Sequence, residues 1–181
     1  MCVPNHTADS NYFVAHLRDW TFDPEGAQIF GGSGAIGYNP QPEGGFMRIV
    51  STYAPTRWDE EAYETIEERM KCTKASVEFA MSGDIEGSAN VEYIMFYQSF
   101  DARDPHRSRA QYVALMRIIG KVRGKSGSFA LIDNGTFEGG AANSKVSIIP
   151  ESGTGELSKI SGAGSYKADQ TGCTLELEIS F

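Results

Sequence analysis

The sequence predicts an all-β protein, an antiparallel eight-stranded barrel behind an N-terminal extension. Three observations carry that expectation. Beyond Cys72, short runs of alternating polar and apolar residues follow one another, glycines punctuate them, and almost no stretch has the 3.6-residue apolar period of a helix. The 181 residues can bury a sizeable core, and a hydrophobic content of 40% excludes a wholly disordered chain.

Residues 1–45 read as an extension. Asn11 to Phe22 contains Tyr12, Phe13, Leu17, Trp20 and Phe22 and suits either a strand or a short helix; Gly31 to Gly45 is a Gly/Pro-rich loop. Ahead of a barrel, such a segment is an extra strand or a flap over its mouth, and the flap is favoured. Residues 46–181 form the barrel domain. Acidic residues are concentrated in Asp59 to Glu68, read as a solvated surface stretch.

Thr73 to Met81 alternates, with Ala75, Val77, Phe79 and Met81 on one face. Ser82 to Gly87 turns the chain into Val91–Tyr97, a strand apolar on both faces. The charged loop Asp101–Arg107 leads to Tyr112–Ile119, and Ser128–Ile132, Lys145–Ile149, Gly164–Ala168 and Thr174–Phe181 follow. Gly120, Gly124, Gly135, Gly139 and Gly172 are among the turn glycines between them. The strands bearing Tyr93 and Arg117 read as buried or half-buried on both sides, which suits a barrel covered inside and out. Alternation puts Tyr93, Met95, Tyr97, Tyr112, Met116 and Phe129 on one side of their strands, and that side is taken as inward because the small Ala114 leaves room there and the tyrosines offer hydroxyls within an otherwise apolar wall.

The chain carries 16 Lys and Arg against 24 Asp and Glu, a net charge of −8. That balance argues against non-specific binding to nucleic acid or anionic membranes. No apolar run reaches the roughly 18 residues of a membrane helix. Met1 to Asp9 lacks the basic and apolar regions of a signal peptide, so a soluble cytoplasmic protein is expected. Cys2, Cys72 and Cys173 imply neither a disulfide framework nor a zinc cluster, and His6, His16 and His106 have no ligand partner at helical or strand spacing. No metal site and no cofactor are expected.

Two motifs fail on context. Gly32-Ser33-Gly34-Ala35-Ile36-Gly37 matches GxGxxG, but Tyr38-Asn39-Pro40-Gln41-Pro42 cannot start the helix a dinucleotide requires. Gly120-Lys121-Val122-Arg123-Gly124-Lys125-Ser126 is one residue short of a phosphate loop and runs into a strand. No serine sits in a GxSxG elbow. Glu78, Glu92 and Arg117 lie within strands, where a charge must meet solvent, a partner or a ligand.

Trp58-Asp59-Glu60, Ser82-Gly83-Asp84-Ile85-Glu86-Gly87, Val91-Glu92-Tyr93, Gly124-Lys125-Ser126-Gly127-Ser128-Phe129 and Ser152-Gly153-Thr154-Gly155-Glu156-Leu157 occur in an order and spacing worth comparing. From about Gly45 to Phe181 they resemble a family of small, mostly bacterial proteins known only as a domain of unknown function. The resemblance implies the allene oxide cyclase-like, calycin-like β-barrel fold. Allene oxide cyclase, dirigent proteins and some polyketide cyclases are distant barrels of this shape, and they steer reactive small molecules. Against the family's pattern, Met116 stands where a Glu usually precedes Arg117, Ala114 replaces a glycine, and Gly124-Lys125 replaces Gly-Arg. Residues 1–45 and the Asp101–Arg109 loop exceed the family's usual size.

The expected function is a cofactor-independent cyclase or isomerase of natural-product metabolism that folds a largely apolar, reactive molecule inside the barrel. The alternative is a non-catalytic binding barrel for an apolar metabolite. Tyr97 and Tyr112 are the expected catalytic residues; Trp58, Tyr93, Met95, Ala114, Met116, Phe129 and Leu131 are the expected substrate contacts. A homo-oligomer is left open. Because such a template works by shape and one or two hydrogen bonds, a nearly flat pH profile is expected.

Overall fold

The computed structural model describes residues 45–181. The expectations placed on residues 1–44, including the Tyr12–Phe22 flap, lie outside the described residues. Eight antiparallel strands follow: β1 (Met47–Glu67), β2 (Met70–Gly83), β3 (Ile85–Ser99), β4 (Arg109–Val122), β5 (Lys125–Glu138), β6 (Ala141–Ile148), β7 (Ser161–Asp169) and β8 (Gly172–Ser180). Each pairs with the next, and β8 returns to β1, so the sheet closes into a barrel. The only helical pieces among the described residues are two single 3-10 turns, Pro105–Arg107 and Gly155–Leu157.

The acidic run is the first departure from the sequence reading. It is strand, the second half of the 21-residue β1, and it pairs with β2 through Asp59↔Ser76, Glu61↔Lys74 and Glu64↔Cys72. Pairing of β1 with β8 stops at Thr52↔Thr174. Beyond that point β1 has no second partner among the described residues and forms an edge there, and edges invite pairing with other chains. A row of carboxylates and a proline at the first bulge (Pro55) both discourage it.

Turns are tighter than the sequence suggests. Between β2 and β3 only Asp84 intervenes, where six residues were expected. Asp84 ties three strand ends together. Its carboxylate accepts from the Val50 amide at 2.8 Å and meets the Arg123 guanidinium at 2.9 Å, while its own amide donates to the Val50 carbonyl at 3.1 Å.

Strict alternation sorts the side chains. Tyr93, Met95, Tyr97, Tyr112, Ala114, Met116, Phe129 and Leu131 are all buried inside the barrel. The neighbours on the outer face are not covered, which corrects the expectation of a barrel shielded on both sides. Ile94 and Val113, paired across β3 and β4, are 44% and 51% exposed; Leu115 and Ile132, paired across β4 and β5, are 52% and 51% exposed. The outer face therefore carries a bare aliphatic strip, and these residues read as doubly buried only because sequence does not distinguish an inner apolar face from an outer one.

The two ends of the lumen are filled differently. At one end, Ile85, Ile118, Val122, Phe129 and Ile179 pack without exposure, and Leu157, on the 3-10 turn of the β6–β7 connection, plugs the opening. The other end is bordered by the β1–β2 turn, the β3–β4 connection, the Gly139-Gly140 turn of β5–β6 and the β7–β8 turn. That end is aromatic.

Candidate functional site

The aromatic end holds a cavity with about 60 Å³ open to the centre of a water-sized sphere. At roughly 10–15 Å³ per water, this is room for a few waters or one small ring. Trp58 enters from the half of β1 that lies past its β8 partner and stacks on Tyr93 of β3, with centroids 5.9 Å apart and planes 20° from parallel. Tyr93 meets Tyr112 of β4 edge-on at 5.5 Å. Phe137, Ala142 and Tyr166 close the far wall, and Pro105 and His106 reach over from the β3–β4 connection. Gly140, with φ at +75°, lets His106 lie against the backbone there, since a Cβ would sit 2.7 Å from His106 Nδ1.

Hydrogen bonds fix two of the tyrosines. Tyr97 donates to Glu60 Oε1 at 3.1 Å, and Trp58 Nε1 donates to Glu60 Oε2 at 3.2 Å. Glu60 thereby ties the β1 edge to the β3 wall, and Lys71 lies over the Phe100 ring at that rim, 3.3 Å from its centroid. Deeper in, the Tyr112 and Ser144 hydroxyls are 2.7 Å apart, and either can donate. They occupy the space above Gly135, where a Cβ would collide with Ser144 Oγ and Tyr112 Oη.

Beneath that pair lies Asp133, with 0% of its surface exposed. In the strand ladder it sits between Ala114 of β4 and Val146 of β6, and Tyr93 is the next inward residue beyond Ala114. Neither of its carboxyl oxygens has a hydrogen-bond partner of ordinary geometry among the described residues. Burial pushes its pKa up to about 6, while the nearby Ser144 hydroxyl pulls it down. Burial also raises Tyr93, Tyr97 and Tyr166 well above the usual phenol range, and raises Tyr112 with a further push from the Asp133 charge. All four are neutral hydroxyls at physiological pH. Burial pushes the Cys173 thiol to about 12, which makes it a poor nucleophile.

Of the sequence-predicted site residues, Trp58, Tyr93, Met95, Tyr97 and Tyr112 line the cavity together. Ala114, Met116, Phe129 and Leu131 point inward but do not line it; Met116, Phe129 and Leu131 are buried in the packed half. Asp133, Ser144 and Tyr166 were missed. Asp133-Asn134-Gly135 reads as a turn, so the strand was expected to end at Ile132. The chain instead runs straight through, because Gly135 makes room for two side chains from neighbouring strands. Extending the alternation Phe129, Leu131, Asp133 by one step would have placed the carboxylate inside.

Among the described residues, no three His, Cys, Asp or Glu side chains gather as metal ligands, and no helix is long and apolar enough to cross a membrane. A comparison with curated proteins finds none that matches. Among solved structures, a protein of unknown function from the DUF3224 family of Shewanella oneidensis MR-1 superposes with a TM-score of 0.61 at 20% identity, over 75% of this chain and 98% of that one. At that identity the likeness speaks for the fold alone. Residues 49–181, most of the barrel, match the family described as "Protein of unknown function (DUF3224)", and the chain belongs to that family.

Proposed function

We propose that this protein binds a small, largely apolar molecule at the open end of the barrel and promotes its isomerisation or cyclisation without a cofactor. One observation carries the reading: a cavity walled by aromatic rings carries few polar groups, the Tyr112 hydroxyl and His106 among them. Apolar walls with a few placed polar groups are the usual make-up of a small-molecule site. Tyr112 is the catalytic hydroxyl in this reading, because it faces the cavity while its hydroxyl meets another inside the wall. Tyr97 has a lesser role, since its hydroxyl already serves Glu60. We also place the barrel with the allene oxide cyclase-like folds, and the way such barrels steer reactive molecules supports the reading by analogy only. The cavity size asks that the reacting end of the substrate enter while any longer tail lies at the mouth.

A non-catalytic binding barrel is the second reading, favoured by the absence of an activated nucleophile among the described residues, Cys173 being held as a neutral thiol by burial. Both readings require binding. Nuclear magnetic resonance titration of the full chain with cyclohexanone is expected to shift the Tyr93 and Tyr112 ring signals, and Trp58→Ala is expected to weaken binding about tenfold by removing one cavity wall. Shifts confined to the outer face would overturn the site. Turnover in an assay of candidate reactive substrates, or binding without turnover, separates the two readings.

A further inference from the structure

Resting on that reading, we propose that Asp133 acts through Ser144 to set the polarity of the Tyr112 hydroxyl, so that the neutral acid makes the cavity a site for a substrate with an acceptor oxygen, a carbonyl or an epoxide. Three placements carry this. Asp133 is fully buried beside the Ser144 hydroxyl, neither of its oxygens has a partner of ordinary geometry among the described residues, and such a carboxyl is costly enough to call for an explanation. Ser144 stands between it and Tyr112, bonded to Tyr112 at 2.7 Å. Tyr112 alone of the three lines the cavity. Gly135 keeps the junction clear, since any side chain there would drive the two hydroxyls apart.

The hydroxyls can point either way. When Asp133 is a neutral acid, it donates to Ser144, Ser144 donates to Tyr112, and the Tyr112 proton points into the cavity. When it is a carboxylate, each bond reverses and the Tyr112 oxygen becomes an acceptor. The same line carries a proton. Tyr112 Oη–H breaks as the substrate O–H forms, the Ser144 proton passes to Tyr112, and the Asp133 proton passes to Ser144, leaving a carboxylate. As the ring closes or the double bond shifts, the substrate releases a proton from C–H or O–H, that bond's electron pair enters the new bond, and the proton returns along the line. The sum is an isomerisation with no co-reactant. Asp133 is a positioning residue here, and Tyr112 the residue that touches substrate.

The groups facing Asp133 from the surrounding strands are Tyr93 of β3, Tyr112 of β4, Ser144 of β6 and, beyond Tyr93, Cys173 of β8. No buried Lys, Arg or His shares the lumen among the described residues. Glu60, Lys71 and His106 stand at the mouth.

The test is cyclohexanone affinity of the full chain between pH 5 and 8. Wild type is expected to lose about tenfold in affinity as pH rises through about 6, the worth of one hydrogen bond to an acceptor. Asp133→Asn, which carries no titrating proton whichever way its amide faces Ser144, is expected to remove the slope. Ser144→Ala should give a flat profile, and Ser144→Thr should restore the slope. A slope that survives Asp133→Asn belongs to His106 or another mouth group and overturns the proposal, as does a flat wild-type profile with binding intact. Absence of cyclohexanone binding even at pH 5 overturns the pocket reading beneath it.

Discussion

The two halves of one lumen obey the same inward alternation and do opposite things with it. In the closed half, Ile85, Ile118, Val122, Phe129 and Leu131 fill the space between strands as a protein interior does, and Leu157 seals the end. In the open half the inward positions hold Tyr93, Tyr97, Tyr112 and Tyr166, one glycine and one carboxyl, and a cavity remains. The closed half makes the barrel stable; the open half gives up packing and burial energy for shaped space and polar groups. A residue is therefore read by its height along the barrel as much as by its face. Met116 and Tyr112 share a strand face, yet one is core and the other cavity wall.

The largest effect expected from breaking this division is in the closed half. Phe129→Ala should cost about 3–5 kcal/mol, transfer loss plus cavity, in a denaturant titration. A loss below about 1 kcal/mol would show that the closed half is not the stabilising one.

The next effect belongs to Asp133. Burial raises its folded pKa to about 6, above the ordinary carboxyl range. A raised carboxyl pKa means the folded state holds its proton longer. The stability from this group is therefore whole below about pH 4, falls as pH rises toward about 6, and stays low above that. A rise of that size is worth on the order of 3 kcal/mol. Asp133→Asn should abolish this slope and leave the variant closer to wild type at pH 4 than at pH 8, where it should be the more stable of the two. Denaturant midpoints at pH 4, 6 and 8 measure it; an unchanged slope would mean that Asp133 is solvated in solution.

The smallest effect sharpens the boundary inside the open half. Tyr97→Phe removes a rim hydroxyl bonded to Glu60 and should cost about 1 kcal/mol or less in stability. It should change cyclohexanone affinity by less than Trp58→Ala does. A larger loss would move the proposed ligand-facing hydroxyl from Tyr112 to Tyr97.

Much of the barrel is legible in sequence because a half-buried strand leaves a two-residue period, and Thr73–Met81 and Tyr112–Ile119 display it without interruption. The same period, with one choice of face, put Tyr93, Met95, Tyr97 and Tyr112 inside. The acidic half of β1 was not legible as strand, because an edge exposed on both faces has no apolar period to show. Asp133 was not legible as interior, because Asp-Asn-Gly is ordinary turn chemistry and only the two hydroxyls lodged over Gly135 explain why the chain does not turn.

By itself, then, the sequence determined the class of fold, the strands from Thr73 onward and which residues of each share a face, since these follow from local period and glycine placement. Tertiary structure alone decided how high each residue stands in the barrel, because height depends on the stagger between strands that are distant in the chain, such as β1 and β8. That stagger ends the β1–β8 ladder at Thr52, leaves Trp58 free to lean over Tyr93, and sets Asp133 beneath Tyr112 and Ser144.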